Sequence, residues 1–95
     1  MANYKLSPAA EEDLIEIYLR GITEWGVSKA DEYQDRLIAT FNHLAANPNI
    51  GREVEVRPKL RRHEVIPYIV FYGKEDYGVR IVRILYMNRA IERHL

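Results

Sequence analysis

The spacing of apolar residues changes once along this chain, and that change constrains the fold more than any other feature. From Ala10 to Leu44 apolar side chains recur every three or four residues; from Leu60 to Tyr86 they alternate or cluster in short β-branched and aromatic blocks. The first spacing belongs to amphipathic helix and the second to strand. Asn47-Pro48 stands at the switch, because a residue before proline is pushed out of helical geometry.

Tyr4-Lys5-Leu6 reads as a short opening strand. Ser7-Pro8 then starts a helix, with Ser7 as N-cap and Pro8 at the first position, where no N–H partner is needed. Glu11, Glu12 and Asp13 follow where the helix dipole favours negative charge. Ala10, Leu14, Ile17, Tyr18 and Ile22 form its apolar stripe, and Gly26 ends it just after Trp25. A second helix restarts at Ser28-Lys29-Ala30-Asp31, with Asp31 in a capping-box-like position. Ala30, Tyr33, Leu37, Phe41 and Leu44 make its seam. A link of two or three residues predicts an antiparallel αα-hairpin.

Residues 47–60 carry Pro48, Gly51 and Pro58 without sustained periodicity, with room for a short strand at Glu53–Val56. Leu60–Ile66 reads as a strand closed by Pro67, Tyr68–Gly73 as a buried strand, and Val79–Tyr86 as the last one. The turn between the last two spans Lys74 to Gly78. Asn88 can cap a final helical turn, Arg89–Leu95. The expected fold is therefore α+β, in the order β-α-α-β-β-β with a short C-terminal helical turn. It makes a small, mainly antiparallel sheet with the helical hairpin on one face, in a single domain over residues 1–95.

Strand alternation on the last strand puts Val79, Ile81, Arg83 and Leu85 on one face and Arg80, Val82, Ile84 and Tyr86 on the other. Both faces are mostly apolar, and two helices cover only one. The other is expected to be bare, the mark of a partner surface.

Fourteen basic and fourteen acidic residues cancel, yet residues 1–48 hold four Lys/Arg against eight Asp/Glu and residues 49–95 hold ten against six. That balance argues against bulk nucleic-acid binding while permitting a local basic face on the second half. No cysteine is present, which removes disulfides, thiolate metal sites and a cysteine nucleophile. His43, His63 and His94 lack ligand spacing, so neither metal nor cofactor is expected. The longest apolar run, Tyr68 to Tyr72, is far too short to span a bilayer, and no secretory pattern opens the chain. A cytoplasmic protein without membrane contact is expected.

Several strings carry a resemblance. They are Leu6-Ser7-Pro8-Ala9-Ala10-Glu11-Glu12-Asp13-Leu14, Leu44-Ala45-Ala46-Asn47-Pro48, Gly51-Arg52 and Arg57-Pro58-Lys59-Leu60-Arg61. Ile69-Val70-Phe71-Tyr72 and Val79-Arg80-Ile81-Val82-Arg83-Ile84-Leu85 complete the set. In order and spacing, over nearly the whole chain, they resemble the ParE branch of the ParE/RelE toxin superfamily. The resemblance implies a ParE-like toxin that acts by binding: DNA gyrase as target, replication block as outcome, and a ParD-like antitoxin as neutralising partner. The antitoxin is expected to fold onto the toxin as a helix against the αα-hairpin and then as an extended stretch along the sheet.

On that reading Arg83, Tyr86, Asn88, Arg89, His94 and Leu95 engage the target. Tyr18, Trp25, Tyr33, Leu60, Arg61, Tyr72, Ile81 and Leu85 receive the antitoxin. No direct sequence-specific nucleic-acid binding is expected. Two departures from the family pattern stand out. Asn88-Arg89-Ala90 lacks the acidic residue of an Arg-Arg-Asp-type segment, and Ile69 stands where the mRNA-cleaving RelE branch carries arginine.

Two other classes stay open. A RelE-like ribosome-dependent mRNA endonuclease would draw on Arg61, His63, Arg83 and Tyr86, since phosphodiester cleavage needs a base, an acid and cations for the transition state. His63 and Glu64, adjacent on a strand, point to opposite faces and cannot act together without a bulge. An inactive binding relative is the third class.

Overall fold

The computed structural model describes residues 2–88. Its elements are β1 (Asn3–Leu6), α1 (Pro8–Trp25), α2 (Val27–Ala46), β2 (Arg52–Val54), β3 (Arg57–Val65), β4 (Tyr68–Glu75) and β5 (Gly78–Tyr86). The five strands form one sheet in the order β1-β5-β4-β3-β2, with β1 parallel to β5 and the other pairs antiparallel. The α+β class and the helical hairpin are as the spacing predicts. The long connection holds one further strand, β2, and the expected turn at Arg89–Leu95 lies outside the described residues.

Ser7 caps α1 as expected: its Oγ accepts from the Ala10 N–H at 3.0 Å, and Pro8 follows at the first helical position. The second helix starts one residue earlier than Ser28. Gly26, at φ 89°, is the entire link between α1 and α2, with no side-chain cap. Only glycine adopts that backbone without strain, so one residue reverses the chain. Asp31 makes no capping box and instead accepts from the Tyr18 hydroxyl. The seam of α2 is buried at each expected position: Ala30, Tyr33, Leu37, Phe41 and Leu44. The buried stripe of α1 runs through Ala10, Asp13, Ile17 and Gly21, with Leu14, Tyr18 and Ile22 only half-buried on its flank.

On the helix-facing side of the sheet, Val70 and Tyr72 of β4 and Val79, Ile81 and Ile84 of β5 pack against Ile17, Leu37, Phe41 and Leu44. Burying such side chains supplies roughly 1.5–3 kcal/mol apiece. β1 is held close to β5: a Cβ on Gly78 would stand 2.0 Å from the Asn3 carbonyl oxygen, so glycine is required there. Pro58 lies where the β2–β3 register slips between Glu53 and Val54, at an edge where its missing N–H costs no ladder bond.

The strict alternation expected along β5 fails at Val82. Tyr72 pairs with Ile81 and Phe71 with Arg83, so Val82 is an extra residue, a β-bulge. The bulge resets parity: Val79, Ile81 and Ile84 all join the helix-facing core, while Val82 and Leu85 join the opposite side.

It occurs where β1 ends. Beyond the Leu6–Ile81 pair the chain turns away into α1, leaving the outer edge of β5 without a strand neighbour. Two side chains from the start of α1 replace that neighbour. The Ser7 hydroxyl donates to the Val82 carbonyl at 2.7 Å, and the Asp13 carboxylate accepts from the Ile84 N–H at 2.9 Å. Asp13 also takes a two-point ion pair from Arg83, with Nε at 2.8 Å and Nη2 at 3.0 Å.

The second face of the sheet is not bare. Val54, Leu60, Ile69, Phe71 and Leu85 form their own cluster, with Phe71 0%, Ile69 1% and Leu85 2% exposed. The bulge turns Leu85 onto this face beside Val82, and β2 with the start of β3 brings Val54 and Leu60 onto it. The large apolar groups left exposed are elsewhere, and Ile15, Leu19, Trp25 and Val27 lie on the helical hairpin.

Removing Asp13 leaves a buried N–H without its acceptor and takes the two-point carboxylate away from Arg83. Asp13→Ala is expected to cost about 2–4 kcal/mol, which lowers the melting temperature by roughly 10 °C or more. Asp13→Asn, which keeps an acceptor for Ile84 but loses the charge, should fall between Ala and wild type in circular-dichroism melts. Equal loss in the two variants would show that the Ile84 contact contributes nothing.

Candidate functional site

The chemistry-bearing residues sit in three places. The first is a small cleft, about 60 Å³, between α1 and the end of β5, lined by Asp13, Glu16, Arg20, Tyr68, Arg83 and Tyr86 among others. Arg83 is committed there to Asp13; that pair and the carboxylates of Glu12 and Glu16 raise its pKa above the ordinary arginine range against the opposing effect of burial. Tyr86 is half-buried and meets Tyr68 edge-on, with ring centroids 5.3 Å apart. The rings continue through Tyr33, 6.0 Å from Tyr68, to Trp25, 6.3 Å from Tyr33. This aromatic row ties the turn of the helical hairpin to the last strand, in the tilted and edge-on geometries that ring quadrupoles favour.

The second place is the β3 end of the connection. The Tyr72 hydroxyl accepts from the Gly51 N–H at 2.9 Å and donates to the Pro48 carbonyl at 2.8 Å. Arg61 Nη1 donates to the Gly51 carbonyl at 2.6 Å and to that of Asn49 at 3.3 Å, and Lys74 holds the Asn49 side chain at 2.9 Å. Both Tyr72 and Arg61 serve to pin the chain as it leaves α2.

The third place is the outer side of the hairpin. Ile15 and Leu19 are one helical turn apart on the side of α1 turned from the core, 60% and 57% exposed. Trp25 and Val27, also exposed, flank the Gly26 link at the hairpin turn. A hollow of about 380 Å³ opens among Trp25, Lys29, Glu32, Tyr33 and Arg36.

The four residues of the nuclease reading are not brought together. Arg61 and His63 lie on β3 and Arg83 and Tyr86 on β5, two strand spacings or roughly 10 Å apart, with buried β4 between them. His63 lines a separate hollow with Ile50, Arg52, Arg62 and Glu64. Of the residues expected to receive the antitoxin, Tyr33, Leu60, Tyr72, Ile81 and Leu85 are buried in the chain's own core and are not offered to a partner. Tyr18, Trp25 and Arg61 keep exposed surface. Of those expected at the target, Asn88 is exposed in the turn after β5, whereas Arg89, His94 and Leu95 lie outside the described residues. Ile15, Leu19 and Val27 are not among the residues that spacing singles out. Leu14, Ile15, Ile17, Tyr18, Leu19 and Ile22 surround α1 with apolar groups, and that excess over one stripe is the signal that marks the first two.

The fold thus ties Asp13, Arg61, Tyr72 and Arg83 into its own contacts and leaves apolar side chains exposed on its helices. The chain matches a family model described as "ParE toxin of type II toxin-antitoxin system, parDE" over residues 4–91. It is 35% identical to Toxin ParE1 of Mycobacterium tuberculosis over 96 aligned positions, covering 99% of this chain and 98% of the relative. Toxin ParE1 of Caulobacter vibrioides is 33% identical, covering 100% and 99%. A solved structure described as "Chromosomal ParDE TA system from P. aeruginosa" superposes with a TM-score of 0.77 at 26% identity, covering 93% of this chain and 98% of that one. The chain belongs to the ParE toxin family of type II toxin–antitoxin systems.

The tyrosines supply a test of this packing. Burial first of all raises the phenol pKa of Tyr33, Tyr68 and Tyr72; Arg20 beside Tyr68, and the Gly51 N–H and Arg61 beside Tyr72, pull the other way without reversing it. The unfolded chain therefore releases these protons near the ordinary value of 10.0 while the folded chain keeps them. Their contribution to stability is complete below about pH 10 and is lost as pH rises further. Tyrosinate absorbance should show a late phase that coincides with loss of circular dichroism and shrinks in Tyr33→Phe. Early ionisation of that phase with the fold intact would contradict the packing.

Proposed function

We propose that this toxin arrests growth by binding DNA gyrase on DNA, without catalysis of its own, and that a cognate antitoxin silences it by docking a helix on the outer side of the αα-hairpin. The observation that carries the docking site is the exposed pair Ile15 and Leu19 on the outer side of α1, with Trp25 and Val27 exposed at the hairpin turn, beside a sheet with a buried apolar cluster on each face. An amphipathic antitoxin helix has its i, i+4 counterpart in Ile15 and Leu19. Tyr18, half-buried on the same helix, extends that surface, and the antitoxin then continues as an extended stretch against a sheet edge. Among relatives, the P. aeruginosa structure is that of a ParDE system, which supports a partner of the ParD kind.

Lack of catalysis is supported by the dispersal of Arg61, His63, Arg83 and Tyr86 and by the engagement of Arg61 and Arg83 in the fold. Tyr86 and Asn88, with Arg89, His94 and Leu95 beyond them, are assigned to the gyrase surface. Arg83 then acts as a positioning residue that sets the end of β5. The protein is read as acting in the cytoplasm, where gyrase is found.

Inducing the chain alone should stop growth and accumulate cleaved gyrase–DNA complexes while mRNA stays intact; co-expressed antitoxin should restore growth. Rapid mRNA decay with undamaged DNA would replace this reading with the endonuclease. Leu19→Glu should weaken antitoxin binding by roughly 30-fold or more, the scale of a central interface anchor, and leave growth arrest in place. Calorimetry of the variant with the antitoxin checks the first effect.

A further inference from the structure

Arg52 and Arg62 face each other directly across β2 and β3. Like charges in that position weaken a strand pair. The next pair along is complementary, with Glu53 opposite Arg61 and their charged groups 3.7 Å apart. Strand parity puts the backbone positions of that matched pair on the other side of the ribbon, and Glu53 makes its ion pair with Arg61.

Among the described residues, the ion pairs are Arg61–Glu53 and Arg83–Asp13, and no acid bonds Arg52 or Arg62. Arg62 lies over the Phe71 ring at 5.9 Å, and its Nε is buried without a hydrogen-bond partner. A buried N–H with no acceptor is costly, and each one in a native fold calls for an explanation. The two guanidiniums also form the ridge between two open hollows. One, about 410 Å³, adds Ile50, His63 and Glu64; the other, about 340 Å³, follows residues 53–56.

We propose that Arg52 and Arg62 form a two-guanidinium clamp for a phosphodiester group of a nucleic-acid backbone. Planar N–H forks match tetrahedral phosphate oxygens better than ammonium groups do. The site lies open at a sheet edge, which suits a chain passing over it. Residues 49–95 hold ten Lys/Arg against six Asp/Glu, so the surrounding field favours a polyanion. Glu64 lines one hollow and Glu53 and Glu55 the other, which confines the contact to about one phosphate. Such a contact positions the protein on nucleic acid and reads no sequence. It stands whether or not gyrase is the target.

The test is fluorescence anisotropy of a labelled DNA duplex and a labelled single strand with the full-length protein, over a range of salt. Wild type should bind at low salt. Arg52→Gln and Arg62→Gln should each weaken binding by about fivefold or more and lower the slope of log affinity against log salt by about one. Arg80→Gln, which removes the same charge from β5, should change neither. Melting temperatures of the two variants should be at or above wild type, because the opposed charges are relieved. No binding by wild type, equal binding by the variants, or an equal effect of Arg80→Gln overturns the clamp. So does polyglutamate or inorganic phosphate binding as tightly as DNA with the same dependence on Arg62.

Discussion

The Asp13 carboxylate is the contact on which the arrangement of this molecule depends. A sheet edge must have its N–H and C=O groups met, and β1 covers β5 only from Gly78 to Ile81. Ser7 and Asp13 complete the edge with side chains, and Asp13 holds Arg83 with the same two oxygens. One carboxylate therefore fixes where the first helix lies, where the last strand bulges, and which way its later residues point. A bidentate guanidinium bond gives that junction a defined geometry as well as energy.

Much of the fold is legible in the sequence because helical burial follows a simple period. Ala30, Tyr33, Leu37, Phe41 and Leu44 are all buried as their spacing requires. Ser7 and Pro8 mark the start of α1 because capping is a local interaction between neighbours in sequence. What stays illegible is long-range. Asp13 looks like one more acid beside Glu11 and Glu12, and only its position under residue 84 distinguishes it. Val82 continues an unbroken alternation, and nothing local marks it as an inserted residue, so strict alternation puts the residues beyond it on the wrong side. Arg83 accordingly looks like a free cation on a strand, whereas it is bound at two points by Asp13 of α1.

That change of parity bears on function. An unbulged β5 would have turned Arg83 and Leu85 to the helix-facing side with Val79 and Ile81, and Ile84 to the other side. With the bulge, the second side gathers Val54, Leu60, Ile69, Phe71 and Leu85 into a closed cluster. Apolar area free for a partner is found instead on the helical hairpin, around Ile15 and Leu19. Family membership thus rests on the full-length match and the shared fold, and the interface has to be argued from the helices.

The arginines show how far one residue type can diverge under the same physics. Arg61 and Arg62 are neighbours in sequence on β3, yet alternation sends them to opposite sides of the ribbon. Arg61 finds two backbone carbonyls and Glu53, and becomes part of the loop it pins. Arg62 finds an aromatic ring and another arginine. Arg83 is paired with a buried acid on α1. Charge count alone would place all three on one basic surface. The register decides which is consumed by the fold and which still has hydrogen-bonding capacity to offer. Changing the parity of β3 by a single residue would exchange the sides of Arg61 and Arg62, turning Arg62 toward the connection after α2 and Arg61 toward the Phe71 side.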